Sequence, residues 1–202
     1  MNHLAHFLLA APEPALIAGA LMGDFQKGPL PGRLPQSLAA GVKLHRLIDS
    51  FTDQHLITQQ ARVRFGPQRR LAGIVLDVYF DRYLSRHWSR FCEHSLAHFN
   101  RQILAVLDDH RAHLVPPAEQ LERRFRQHSI LCRYHEESMI EAILTRIGER
   151  LQLAPQMKAA MALARHQQTD IEADFLVFFP ELITFCHQQK PLISAGLVTQ
   201  SR

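Results

Sequence analysis

At 202 residues, 47% of them hydrophobic and with a formal net charge of +4, the chain has the length of one domain and enough apolar mass to bury a core without disulfides or structural zinc, which sets intrinsic disorder aside. Its three cysteines, Cys92, Cys132 and Cys186, lie far apart and form no CxxC pair, a pattern of reduced thiols that points to the cytoplasm rather than to a secreted disulfide framework. The positive charge is nearly all arginine, with four lysines among 23 basic residues, and the guanidinium fork suits phosphate and carboxylate partners. In chain order the sequence predicts short helices over 4–11 and 14–21. This apolar start lacks a basic n-region and carries Pro12, Glu13 and Pro14, so it does not read as a signal peptide, and the run 15–23 is too short to span a bilayer; no membrane partner is expected. The loop KGPLPGRLP follows, and Pro35 opens a helix to about Asp53. Gly66-Pro67 opens the next, to about Phe91, with Leu71, Ile74, Val75, Val78 and Leu84 near a helical period. Further helices are expected from Ser95 to about His110, from Ala118 to Cys132, from Glu136 to Glu149, and from Pro155 to about Lys190 with a bend at Pro180. Asn-Gly and Asp-Gly hairpin turns are absent and no apolar alternation is sustained. The expected class is all-α, a single-domain helical bundle over residues 1–202.

The first half concentrates His and Asp at helical spacing. His45, Asp49 and Asp53 are four residues apart and share one helix face; Asp77 and Asp81 do the same on the next helix. Asp77 lies in the apolar string Leu76-Asp77-Val78, where a carboxylate costs several kcal/mol unless it is paired, so Arg70, Arg46 or a metal ion is expected to neutralise it. Asp24 ends the apolar run IAGALMGDF, and His6 sits among Leu4, Ala5, Phe7 and Leu8. One such histidine is more often a core residue bonded to backbone, but several acids and imidazoles on separate helices suit Mn²⁺, Fe²⁺ or Zn²⁺, and an oxygen-rich set leans towards Mn²⁺. Such an ion lowers the pKa of water from about 15.7 towards about 7. Trp88 reads as a packing anchor, and His87 as a proton shuttle or a simple cap. Eight arginines between Arg62 and Arg101 face only Asp77, Asp81 and Glu93, which reads either as a site for an acidic or phosphate-bearing partner or as a solvated face. There is no G-x-S-x-G, P-loop or H-E-x-x-H motif, and no cysteine has a basic context that would mark a nucleophile.

Four ordered strings carry a resemblance: LAH at 4–6, GDF-x-KG at 23–28, G-x-x-x-HR-x-ID-x-x-TD at 41–53, and RR-x-x-x-I-x-LD-x-x-x-D-x-x-LSRHW at 69–88. Together they closely resemble the acyl carrier protein phosphodiesterase family, also called acyl carrier protein hydrolyase. The rest of the chain is similar only in length, helicity and the aromatic string FLVFFP. The resemblance implies a divergent HD-domain-like phosphohydrolase, all-helical and metal-dependent, within fatty acid and lipid metabolism. It implies hydrolysis of holo-acyl carrier protein to apo-acyl carrier protein and 4′-phosphopantetheine, with Mn²⁺ as the usual ion and Fe²⁺, Mg²⁺ or Zn²⁺ as alternatives. His6, Asp24, His45 and Asp77 are then the expected ligands, with Asp49 beside them.

The chain departs from the superfamily pattern, because His45 is followed by Arg46 rather than Asp, so Asp24 is expected to supply an oxygen ligand as well as to serve catalysis. The family usually has an apolar residue where this chain has His3, and His6 is preferred over His3 as the ligand. Lys27 and Arg46 are expected to hold the phosphate, with a surface lysine and an Arg46–Asp49 ion pair as the plain alternatives. His87 or a water is expected to protonate the leaving serine. The carrier protein is acidic, so Arg62, Arg64, Arg69 and Arg70 are the expected docking residues, with Arg69 or Arg70 turned inward as the alternative. Two other readings compete. An HD-type nucleotide phosphohydrolase keeps the fold and changes the substrate. A non-enzymatic basic helical module explains the arginines but leaves Asp24, His45, Asp49 and Asp77 without a purpose, and a nucleic-acid partner is not expected.

Overall fold

A computed structural model describes residues 1–32 and 34–196. Eleven α-helices and no strand occur among them: α1 (His3–Ala10), α2 (Pro14–Met22), α3 (Gln36–Gln54), α4 (Leu56–Val63), α5 (Arg69–Arg86), α6 (Leu96–Asp109), α7 (Pro116–His128), α8 (Ile130–Arg133), α9 (Glu137–Arg150), α10 (Ala154–His166) and α11 (Gln168–Ser194). The all-α expectation holds. Among the described residues no helix is long and apolar enough to cross a membrane.

Local chemistry explains the boundaries, including those that the sequence pattern does not mark. Pro14 starts α2 at a position whose N–H has no intrahelical partner. At the end of α3, His55 turns to extended backbone (φ −69°, ψ 135°) and its ring accepts the Ile57 N–H, which starts α4, a helix the pattern did not reveal. The helix expected to open at Gly66 begins as a short 3₁₀ turn and becomes α-helical at Arg69; it ends at Arg86, and a second 3₁₀ turn covers Trp88–Arg90. Two further expectations are corrected. The stretch 118–132 is broken at Ser129, which adopts left-handed backbone (φ 48°) between α7 and α8. The long helix expected from Pro155 is two, α10 and α11, parted at Gln167, whose side-chain amide donates to the Arg64 carbonyl at 3.2 Å. Pro180 lies inside α11 without ending it.

The buried side chains form one continuous core. Its axis is α5, which buries Val75, Leu76, Val78, Tyr79, Phe80, Tyr83 and Leu84. The aromatic string of α11 packs there, with Phe80 5.7 Å from Phe175 and 5.5 Å from Phe178 between ring centroids. Two contacts fix the N-terminal helices. Asp81 of α5, 0% exposed, accepts the Leu4 and Ala5 N–H groups at 2.7 and 3.2 Å, so α1 is capped by a carboxylate 77 residues away. Glycines bring α2 and α3 together: a Cβ on Gly19 would lie 2.6 Å from Gly41 Cα, and one on Gly41 would lie 2.6 Å from the Leu16 carbonyl oxygen.

Candidate metal centre

The close crossing of α2 and α3, with α1 docked on α5, gathers imidazoles and carboxylates from three helices, α1, α3 and α5, and from the segment after α2. The His6 and His45 rings stack with centroids 3.9 Å apart and planes 12° from parallel. Asp49, one turn beyond His45 on α3, sits against both: Oδ1 is 3.1 Å from His6 Nε2, and Oδ2 is 3.1 Å from His45 Nε2. One ligand-capable atom from each of these three residues lies within 4.8 Å of the others. Asp24 flanks them, with Oδ1 3.7 Å from His45 Nε2 and Oδ2 3.8 Å from His3 Nδ1. Asp77 accepts a hydrogen bond from the Met1 amino group at 2.9 Å, and that ammonium is also 3.5 Å from Asp49 Oδ1. The partner of Asp77 in the structure is thus an amino group, not Arg70 or Arg46.

Protonation follows from the contacts. His45 Nδ1–H donates to the Ala20 carbonyl at 2.9 Å, since a carbonyl can only accept. In a neutral ring, Nε2 then presents a lone pair to the oxygens of Asp49 and Asp24, an arrangement that repels unless a cation lies between them. His6 places Nε2 3.2 Å from the Met1 carbonyl and leaves Nδ1 buried without a partner. Burial, with the neighbouring His45, lowers the pKa of His6 to about 4, so the ring is neutral at physiological pH. Burial would raise the Asp49 carboxyl, but wherever the facing His45 and His6 nitrogens carry protons in place of a cation, their hydrogen bonds outweigh it and hold the group well below the usual carboxylate range. Burial pushes Asp77 up against the pull of the ammonium. Neutral imidazole beside ionised carboxylate is the donor state a divalent cation requires, and the backbone-anchored His45 has the outer partner that metal-ligating histidines use. The residues fit such an ion.

Beside the cluster an open cavity of about 380 Å³ is lined by Gly23, Asp24, Gln26, Lys27, Gly28, His45, Arg46 and Asp49. Gly28 turns the chain there with φ +83°, a left-handed conformation that favours glycine. Lys27 is exposed. Arg46 Nη2 donates to the Gln26 carbonyl at 2.9 Å and so ties the loop to α3, rather than pairing with Asp49. A larger depression, about 520 Å³ on the outer face of α7, is lined by residues such as Pro116, Gln120, Arg123 and Arg124 and has no imidazole or carboxylate in its lining.

Other expected residues lie elsewhere. Asp53 shares the α3 face with Asp49 but pairs with Arg62, whose guanidinium lies over Gly73 of α5. Arg64 pairs with Asp174 and donates to the Gln167 side chain at 3.3 Å. Arg69 and Arg70 are both exposed at the start of α5, so neither turns inward. His87 pairs with Glu172 of α11 at 2.6 Å, ten residues beyond Asp77 and hence about 15 Å away along the helix axis. Trp88 packs on Phe99 with centroids 5.0 Å apart and donates to the His94 carbonyl. One participant was not foreseen: the Met1 amino group belongs to the backbone, which no side-chain pattern records. His3, the expected alternative to His6, lies beside Asp24, while His6 is the histidine that faces Asp49.

The sequence profile of the acyl carrier protein phosphodiesterase family matches residues 1–182. Among similar proteins, the acyl carrier protein phosphodiesterase of Yersinia pestis is 32% identical over 186 residues, covering 91% of this chain and 96% of the relative. Those of Klebsiella pneumoniae subsp. pneumoniae and Pectobacterium atrosepticum are 30% and 28% identical, each covering 94% of this chain and 100% of the relative. No solved structure gives a significant match.

Proposed function

The chain belongs to the acyl carrier protein phosphodiesterase family, and from that premise we propose that it is a divalent-cation-dependent phosphodiester hydrolase that converts holo-acyl carrier protein to apo-acyl carrier protein and 4′-phosphopantetheine. The observation that carries this reading is the pair of stacked imidazoles facing one carboxylate, beside an open cavity bordered by Lys27 and Arg46. His6, His45 and Asp49 would hold the ion, with Asp24 and Asp77 completing its surroundings. A bound divalent cation, Mn²⁺ first with Fe²⁺, Mg²⁺ or Zn²⁺ as alternatives, supplies Lewis-acid polarisation of a phosphoryl oxygen and acidifies water.

The remaining work falls to this chain. Arg46, braced on the Gln26 carbonyl, and Lys27 at the cavity edge bind the non-bridging phosphate oxygens and stabilise the charge that grows on them during displacement. Asp24, between His45 and the open cavity, orients the attacking water towards phosphorus. His87, held by Glu172 far from the cluster, has no part in this reading, and the leaving serine takes its proton from water in the cavity. Arg69 and Arg70 are the proposed docking residues for the acidic carrier protein, because Arg62 and Arg64 are engaged within the fold. The three cysteines are free, in keeping with a cytoplasmic enzyme of lipid metabolism.

The test is mass spectrometry of purified holo-acyl carrier protein incubated with this protein and Mn²⁺, with chelator and Asp24→Ala controls. Loss of the phosphopantetheine mass in the metal-replete wild type alone is the expected result. No loss with a folded sample across several divalent metals would overturn the assignment.

A further inference from the structure

Gly23 does not need to be glycine for its backbone. Its φ of −53° and ψ of −39° are ordinary right-handed values open to any residue. What it provides is space. A Cβ at this position would lie 2.5 Å from His45 Nδ1 and closer still to Cγ and Cδ2 of the same ring. Moving α2 and α3 apart to make room would give up the backbone contact that Gly19 and Gly41 allow between them. The other way to make room is for the ring to rotate.

The carbonyl under the ring explains why rotation would matter. Ala20 lies in the last turn of α2, where carbonyls lack intrahelical donors and the helix dipole is negative. It accepts the Gly23 N–H at 3.3 Å, and the His45 Nδ1–H at 2.9 Å. The second bond points Nε2 at Asp49 and Asp24. We propose that Gly23 is a positioning residue: its missing side chain is the slot that lets His45 lie across the end of α2, hydrogen-bonded to Ala20, with Nε2 presented to the cation. The part that concerns the ion rests on the metal-dependent reading above; the slot and the hydrogen bond do not.

Gly23→Ala tests it, with three measurements on the full chain. In metal-free protein, NMR reads the His45 Nδ1–H as a slowly exchanging resonance, expected in the wild type and lost in the variant. Calorimetric titration with Mn²⁺ is expected to show affinity about 10–100-fold weaker in the variant, the range for removing an outer partner of a metal-bound histidine. Circular dichroism is expected to show retained helicity, and kcat is expected to fall while KM for the carrier protein holds, since docking lies elsewhere. A variant that keeps both the protected Nδ1–H and wild-type Mn²⁺ affinity would overturn the proposal. If Gly23→Ala fails to fold, the wild type decides by itself: an unprotected Nδ1–H there removes the hydrogen bond on which the proposal stands. A wild type with the protected proton but no affinity for any divalent cation would refute the metal reading and leave the slot standing.

Discussion

Asp81 gives a sharp test of the fold through pH. Its carboxyl is fully buried, and burial raises its pKa from an ordinary 3.8 to about 7 against the pull of the Leu4 and Ala5 N–H groups. The folded state therefore holds a proton that the unfolded chain has already released. The stabilisation this confers is complete below pH 4 and is lost as pH rises through 7. Between pH 5 and pH 8 the protein is expected to lose roughly 3 kcal/mol of stability from this one group, at about 1.36 kcal/mol per pKa unit over the two units that separate pH 5 from the folded value. Asp81→Asn keeps an acceptor oxygen for the first turn of α1 and removes the titration. Urea denaturation of both proteins at pH 5 and pH 8 isolates the effect to Asp81 and the groups coupled to it, Asp77 and the Met1 amino group, because titrating groups remote from it cancel in the difference. The stability of the wild type should fall more steeply than that of the variant by the stated amount. Parallel pH dependences would refute the reasoning and mean that Asp81 folds as an ionised helix cap.

Other expectations are direct. Asp49→Ala removes the carboxylate that both imidazoles face, and calorimetry should show Mn²⁺ binding lost, with little change in the far-ultraviolet spectrum. Glu122, 0% exposed, is held by Arg126 at 2.8 Å and by Arg111 at 3.3 Å, so Glu122→Ala should lower the thermal midpoint. The loss should stay below that of a broken buried pair, because the two arginines left behind are half-exposed and keep Asp108 as a partner. Charge reversal of Arg69 and Arg70 to Glu should raise KM for acyl carrier protein about tenfold and leave turnover of a small phosphodiester unchanged; equal loss on both substrates would count against docking there.

Most helices were legible because their sequences carry position-specific chemistry: Pro14 at the first turn of α2, and an apolar period along α5. The misses share a cause. Helix α4 is eight residues long and its cap is a histidine rather than Ser, Thr, Asp or Asn. The breaks at Ser129 and Gln167 use neither Gly nor Pro, and Gln167 is fixed by Arg64, which is 103 residues away in sequence. The candidate site was legible in its side chains, since His45 and Asp49 sit one turn apart and LAH, GDF and LD carried the resemblance. Its backbone members were not: the Ala20 carbonyl and the Met1 amino group have no residue-type signature. Arg62 and Arg64 looked like surface charge because their partners, Asp53 and Asp174, become neighbours only in the folded chain.

The cap that Asp81 places on α1 also sets a clock. Helix α1 has eight residues, fewer than the roughly 12–15 that hold a helix alone in water, and it draws two hydrogen bonds for its first turn from α5. During synthesis at about 5–20 residues per second, the segment bearing His6 emerges first and then waits for the segment bearing Asp81. Until that later segment leaves the ribosome, α1 has only its local Asn2 cap and His6 has no fixed place beside His45. The nascent chain thus carries the donors of a cation site for several seconds without the geometry to use them.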